Sequence, residues 1–84
     1  MNTRNGNADR YKDELIATGI NIGYYRRRKG LTQEQLAEKA NLSKSFLSQI
    51  EAPNFSVSIS LPTLFAIAEA LDIEPWKLLK FEID

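Results

Sequence analysis

The chain has no cysteine and no histidine among its 84 residues. Without cysteine it can form neither a disulfide nor a thiolate metal site, and without histidine it lacks the commonest metal ligand. The serines have no histidine to activate them, and the sequence has no glycine-rich phosphate loop. The sequence therefore predicts a protein that is not an enzyme and uses no metal or cofactor.

Long apolar runs are also missing. No stretch approaches the roughly 18 apolar residues of a membrane-spanning helix, and residues 1–8 are polar, without an apolar signal region. We therefore expect a cytoplasmic protein that makes no membrane contact. A disordered N-terminal arm is expected over residues 1–8, followed by one domain over residues 9–84, long enough to bury a single compact core.

The net charge is zero, which by itself argues against a nucleic-acid partner, but the charges are unevenly distributed. Residues 1–50 hold nine Lys and Arg against five Asp and Glu, a balance of +4. Residues 51–84 hold two against six, a balance of −4. Such asymmetry is typical of a domain with one basic binding side and an acidic side turned away from it.

The stretch Gln33 to Ala52 predicts two short helices joined by a tight turn. Thr32 is a suitable N-cap for the first helix, and the glutamine three residues later completes a capping-box pattern. Asn41 tolerates the left-handed backbone that a tight turn needs. Ser43 is the N-cap of the second helix, which must end before Pro53.

The second of these helices, residues 44–51, divides into two faces at about 100° per residue. One face holds Phe46, Leu47 and Ile50, whereas the opposite face is polar and mostly uncharged. That polar face consists of Lys44, Ser45, Ser48 and Gln49. Its hydrogen-bonding groups suit the reading of base edges in a DNA major groove. Taken alone, the helix fits an ordinary amphipathic surface helix equally well.

As a whole, the segment from about residue 19 to residue 79 resembles the Cro/repressor-type helix-turn-helix family, often called XRE-like. The matching residues are Gln33, Leu36, Ala37, Ala40, Leu42, Leu47, Ile50 and Glu51, with Arg26 and Gly30 to Gln33 before them and Leu64 to Leu71 after them. The chain departs from the family pattern at Asn41, where glycine is usual, and lacks a glycine after Glu51.

The resemblance implies an all-α fold, a compact five-helix lambda-repressor-like DNA-binding domain with its helix-turn-helix at residues 33–52. It also implies that helix 44–51 enters the major groove. The residues expected to read bases are Lys44, Ser45, Ser48 and Gln49. Those expected to contact phosphate are Thr32, Gln33, Ser43 and Asn54. In the family, the residue matching Arg26 pairs with the one matching Glu51, so we expect a structural ion pair between them.

Apolar spacing predicts a helix on either side of the motif. A helical pattern runs from about Asp9 to Lys29, with a break expected near Thr18-Gly19 because glycine weakens a helix. Ser60 caps the helix that follows the motif. The expected core residues of that helix are Leu61, Leu64, Phe65, Ala68 and Leu71, flanked by Ile67.

A last short helix is predicted to start at Pro75. It carries an apolar patch of Trp76, Leu79 and Phe81. Two interpretations are open: the patch is a dimer contact, or it covers the bottom of the core.

These features together predict a DNA-binding transcriptional regulator, and more specifically a repressor, that binds a palindromic operator in double-stranded DNA as a homodimer. Two alternatives stay open. One is an antitoxin-type autoregulator of a toxin–antitoxin pair, and the other is a protein-interaction module that has lost DNA binding. A protein antagonist or co-regulator is a further candidate partner.

Overall fold

The computed structural model describes residues 10–81, which form four α-helices and one short 3₁₀ helix. In chain order these are α1 (Lys12–Arg28), α2 (Gln33–Lys39), α3 (Lys44–Glu51), α4 (Leu61–Leu71) and the 3₁₀ helix Pro75–Leu79. The all-α class is as predicted. The arm predicted over residues 1–8 lies outside the described residues. Among residues 10–81, no helix is long and apolar enough to cross a membrane.

The predicted count of five α-helices is wrong by one, because the last element is a 3₁₀ helix. It contains only five residues, and the backbone becomes extended at Lys80 directly after it. Elements this short commonly take the tighter i→i+3 hydrogen-bonding pattern.

Local side-chain chemistry sets the ends of α2 and α3. The Gln35 backbone N–H donates to Thr32 Oγ1 over 3.0 Å, and the Thr32 N–H donates to Gln35 Oε1 over 2.9 Å, so both halves of the predicted capping box are present. Asn41 has a φ of 59°, the left-handed conformation expected between the two helices. Ser43 Oγ then accepts the Phe46 N–H over 3.0 Å at the start of α3.

Helix α1 continues unbroken through Thr18 and Gly19, where the sequence predicted a break. A Cβ at Gly19 would collide with the carbonyl oxygen of Ile50 and would lie 2.9 Å from its carbonyl carbon. Gly19 is therefore a packing residue that lets α1 approach α3 closely. This contact explains why a glycine that costs a helix up to about 1 kcal/mol stands in the middle of one.

The core receives at least one fully buried aliphatic side chain from each helix. The largest are Ile22, Leu36, Leu47, Ile67, Leu71 and Leu78. The core prediction is wrong for two residues of α4, since Leu61 is 61% exposed and Phe65 is 51% exposed. Helix α4 instead turns inward the stripe of Leu64, Ile67, Ala68 and Leu71, which satisfies the same three-to-four spacing.

Candidate nucleic-acid interface

Helix α3 buries one side and leaves the other to solvent. Leu47 and Ile50 are buried, and Phe46 is partly buried against the core. The residues predicted to read bases are all exposed: Lys44, Ser45, Ser48 and Gln49. The structure thus brings these four side chains together as one polar surface on a short helix that packs against α1 and α2.

The N-termini of α2 and α3 carry two of the residues predicted to contact phosphate. Thr32 and Ser43 are exposed, and each hydroxyl oxygen already accepts a backbone N–H as an N-cap. A hydroxyl that accepts one hydrogen bond still has its own proton to donate. Both residues therefore combine a structural role with a free donor at a helix N-terminus, where the helix dipole favours an anion.

Gln33 is less free than the sequence indicated. Its side chain is half-buried, and Nε2 donates to Glu51 Oε1 over 3.1 Å. The amide nitrogen carries a second proton, which stays available for a phosphate oxygen. The link from Gln33 to Glu51 was missed in the sequence because the two residues lie 18 positions apart and no local pattern connects them.

Arg26 and Glu51 form a two-pronged ion pair between α1 and the end of α3. Arg26 Nε donates to Glu51 Oε2 over 2.9 Å, and Nη2 donates to Oε1 over 3.0 Å. The side chains are only 13% and 7% exposed. Arg26 Nη1 also donates to the Leu31 carbonyl over 2.8 Å. One guanidinium therefore ties α1, the loop before α2 and the C-terminus of α3 together.

Asn54 lies in the turn that follows α3 and is exposed, as a phosphate contact requires. The rest of the loop divides between surface and core. Phe55 is 49% exposed, whereas Val57 and Ile59 pack partly against the core. The loop backbone over residues 55–60 forms no regular element. Its apolar side chains hold the loop against the domain and leave Asn54 beside the end of α3.

The helix-turn-helix family model matches residues 22–75, which include α2, α3 and the buried ion pair. The chain belongs to the helix-turn-helix family. The matched segment runs from the last seven residues of α1 to Pro75, the first residue of the 3₁₀ helix.

Two relatives are named as an immunity repressor and as a transcriptional regulator. The chain is 48% identical to the immunity repressor protein of Bacillus phage phi105 over 59 residues, which are 70% of this chain and 40% of the phage protein. It is 39% identical to the HTH-type transcriptional regulator SinR of Bacillus subtilis over 61 residues, 73% of this chain and 54% of SinR. The chain therefore matches about half, or less, of the length of these relatives.

Solved structures show the same architecture. The crystal structure of SinR in complex with DNA has a TM-score of 0.70 at 38% identity, covering 75% of this chain and 98% of that one. The restriction-modification controller protein C.AhdI from Aeromonas hydrophila has a TM-score of 0.73 at 35% identity, covering 79% of this chain and 97% of that one. This helix-turn-helix domain is therefore similar to a domain crystallised on DNA.

Proposed function

We propose that the chain is a sequence-specific DNA-binding transcriptional regulator, and more specifically a repressor. The observation that carries this proposal is the exposed polar face of α3, on a helix fixed to the domain by a buried ion pair. The likeness to a phage immunity repressor and to SinR, which was crystallised with DNA, supports the same function.

In the proposed complex, α3 lies in the major groove of double-stranded DNA and α2 crosses the backbone. The Gln49 amide can bond adenine N6 and N7 together, and Lys44 can donate to guanine O6 and N7 or to phosphate. Ser45 and Ser48 are short enough to serve several bases. Phosphate contacts come from Thr32, Gln33, Ser43 and Asn54.

Base reading at Gln49 is tested by first selecting an operator from random duplex DNA with the purified chain. Gln49→Ala should then lower operator affinity by about 1–3 kcal/mol and relax the preference at one base pair in each half-site. Its salt dependence should stay unchanged, because no positive charge is lost. The measurement is binding to the operator and to its single-base variants at several salt concentrations.

Lys44→Ala is the matched comparison in that experiment. If Lys44 contacts phosphate, all sequences should weaken alike and the salt slope should fall by about one for each half-site. If Lys44 reads guanine, the loss should concentrate at one base pair. The proposal is rejected if the unsubstituted chain enriches no DNA sequence and neither substitution changes DNA affinity. That result would exclude α3 as the helix that reads bases and favour the interaction-module alternative.

We further propose that two chains bind a palindromic operator as a homodimer, with half-sites about 34 Å apart. The dimer contact is assigned to Trp76, Leu79 and Phe81. Trp76 is 55% exposed and Leu79 is 48% exposed, whereas the neighbouring Leu78 is fully buried and seals the core. The 3₁₀ helix therefore has an inward residue for stability and outward residues for a partner, and exposed tryptophan is a frequent anchor of interfaces.

Trp76→Ala should shift the sedimentation of the chain toward monomer. Loss of such an anchor costs about 2 kcal/mol, or about thirtyfold in affinity for a full palindrome, with a much smaller loss on a single half-site. Phe65→Ala is the matched control, because Phe65 is an exposed aromatic residue on α4, outside the patch. Equal losses on the full site and the half-site would exclude the patch as the dimer contact.

A further inference from the structure

Two adjoining clefts form a groove between α1 and the segment that contains the 3₁₀ helix. The first has a volume of about 340 Å³ and is lined by Ile20, Asn21, Tyr24, Tyr25, Lys77 and Lys80. The second, of about 380 Å³, shares Tyr25 and Lys77 with the first and adds Arg28 and Lys29. We refer to these two clefts together as the α1 groove. Because they share two wall residues, the two clefts adjoin along α1.

The α1 groove lies on the side of α1 that faces away from α3. Gly19 and Gly23 lie against the end of α3, at the Ile50 backbone and the Glu51 side chain. At about 100° per residue, Asn21 lies on the opposite side of α1 from these two glycines. The centre of the groove and the end of α3 therefore lie on opposite sides of α1.

The floor of the first cleft is mainly apolar and open to solvent. Ile20 and Tyr24 are each 47% exposed. The rings of Tyr24 and Tyr25 meet edge to face, with their centroids 5.1 Å apart. Edge-to-face packing of this kind is a favoured arrangement of two aromatic rings.

The other wall of the α1 groove is held in place by one side chain. Asn21 Nδ2 donates to the Leu78 carbonyl over 3.0 Å and to the Lys80 carbonyl over 3.1 Å. These bonds anchor the end of the 3₁₀ helix to α1. The groove is thus already formed in the isolated chain, which lowers the entropic cost of binding a ligand there.

The rim of the α1 groove is positively charged. Arg28, Lys29, Lys77 and Lys80 line it, against the single carboxylate of Asp72. Lys77 and Lys80 are the only basic residues of residues 51–84, a segment with six acidic residues. Arg28 Nη1 donates to the Tyr24 hydroxyl over 3.1 Å, and this bond raises the pKa of the guanidinium. The positive charge of an otherwise acidic half of the chain is therefore concentrated at this groove.

We propose that the α1 groove binds an acidic amphipathic segment of a partner protein. Apolar side chains of that segment lie on Ile20 and Tyr24, and its carboxylates face Lys77 and Lys80. DNA backbone alone would leave the exposed apolar floor without a matching surface, and the groove faces away from α3. This surface borders the proposed dimer contact without including it: Trp76, Leu79 and Phe81 line neither cleft, but the Lys77 ammonium lies 5.9 Å from the centre of the Trp76 ring. The inference goes beyond DNA binding and assigns the chain a second, protein-binding surface.

The test uses the full chain, labelled with ¹⁵N, and a short fluorescent peptide with Glu on one helical face and Leu and Phe on the other. Titration should shift amide resonances of residues 20–28 and 71–80 and leave those of 44–51 in place. The same peptide with Gln in place of Glu should bind several-fold more weakly, because the charge attraction is removed. Shifts confined to α3, or none in the groove at millimolar peptide, overturn the proposal.

Charge-matched variants separate the α1 groove from the charge of the whole chain. Lys77→Glu should weaken peptide binding about fivefold or more, the effect expected from opposing one charge. Lys39→Glu changes the net charge equally at an exposed position on α2 and should stay within about twofold of the parent. Tyr24→Ala keeps every charge and should also weaken peptide binding. It replaces Lys77→Glu in the test if circular dichroism shows that Lys77→Glu does not fold.

Three results would reject the acidic partner. If Lys77→Glu and Lys39→Glu weaken peptide binding equally, the net charge of the chain and not the α1 groove accounts for the binding. A loss of DNA affinity and salt slope in Lys77→Glu, with peptide binding unchanged, would assign the α1 groove to the DNA backbone. A change confined to sedimentation would assign it to a second copy of this chain.

Discussion

Arg26→Ala and Glu51→Ala should each lower the free energy of unfolding by about 3–5 kcal/mol, because each leaves a buried charge without its partner. The Arg26 side chain is 13% exposed and that of Glu51 is 7% exposed. A domain of this size has a total stability of about 5–8 kcal/mol, so either substitution should bring it close to unfolding. Urea and thermal denaturation followed by circular dichroism measure this effect.

The surrounding hydrogen bonds distinguish milder substitutions from severe ones. Arg26→Lys keeps the charge but cannot donate to Glu51 through two nitrogens and reach the Leu31 carbonyl as well. Glu51→Gln keeps an acceptor for Gln33 or Arg26 but loses the charge. Both should destabilise the domain less than the alanine variants, with intermediate urea midpoints.

The surface pair Lys29–Asp72 is the control for these variants. Its charged atoms are 3.8 Å apart, and its side chains are 44% and 90% exposed. Lys29→Ala should therefore change the free energy of unfolding by less than about 0.5 kcal/mol. If Arg26→Ala and Glu51→Ala melt within a few degrees of the parent, as Lys29→Ala should, the buried pair contributes little and the prediction is wrong.

The helix-turn-helix is the part of the fold that the sequence predicts best, because its signals are local. An N-cap lies within three residues of the N–H that it accepts, and the turn needs only one left-handed residue, Asn41. Such patterns are complete within a short window of the chain. The side-chain bonds around Glu51 join residues 18 and 25 positions away, and only the family resemblance indicated one of them.

Errors arose where tertiary packing decides between equivalent local patterns. In α4, the stripe with Leu61 and Phe65 and the stripe with Ile67 have the same helical spacing. The neighbouring helices cover Ile67 and leave the other two residues more than half exposed. The prediction of a helix break at Gly19 was wrong for a related reason. Helix propensity is a local property and does not include the packing of Gly19 against the backbone of Ile50. The base-reading and phosphate-contacting residues stay predictions that await DNA-binding measurements.

Gly19→Ala should lower the free energy of unfolding by about 2 kcal/mol or more, although alanine is the better helix former. The new Cβ would collide with the Ile50 carbonyl oxygen, and a backbone atom cannot rotate away as a side-chain end does. Overpacking of this kind costs about 3 kcal/mol, against a gain in helix propensity of up to about 1 kcal/mol. Helix α1 must then move away from α3 or remain strained.

Gly23→Ala is the matched control for this prediction. It makes the same change one turn further along α1, so the gain in helix propensity is the same. Its Cβ would lie 3.1 Å from Arg27 Nη1, the end of a side chain that can shift, and 3.1 Å from Glu51 Oε1, which Arg26 and Gln33 hold in place. The substitution therefore needs an adjustment of a few tenths of an ångström at the ion pair, whereas Gly19→Ala must displace a backbone carbonyl. Gly23→Ala should therefore cost clearly less than Gly19→Ala, about 1 kcal/mol or below. The difference between the two urea midpoints isolates the contact between α1 and α3.

The same pair of variants links this packing to DNA binding. Because Ile50 belongs to α3, displacement of its backbone should tilt the face that carries Gln49. At a temperature where Gly19→Ala is still folded, we expect weaker operator binding than for Gly23→Ala, with the same salt slope because no charge changes. Equal stability and equal operator affinity in the two variants would show that the close approach at Gly19 does not position α3.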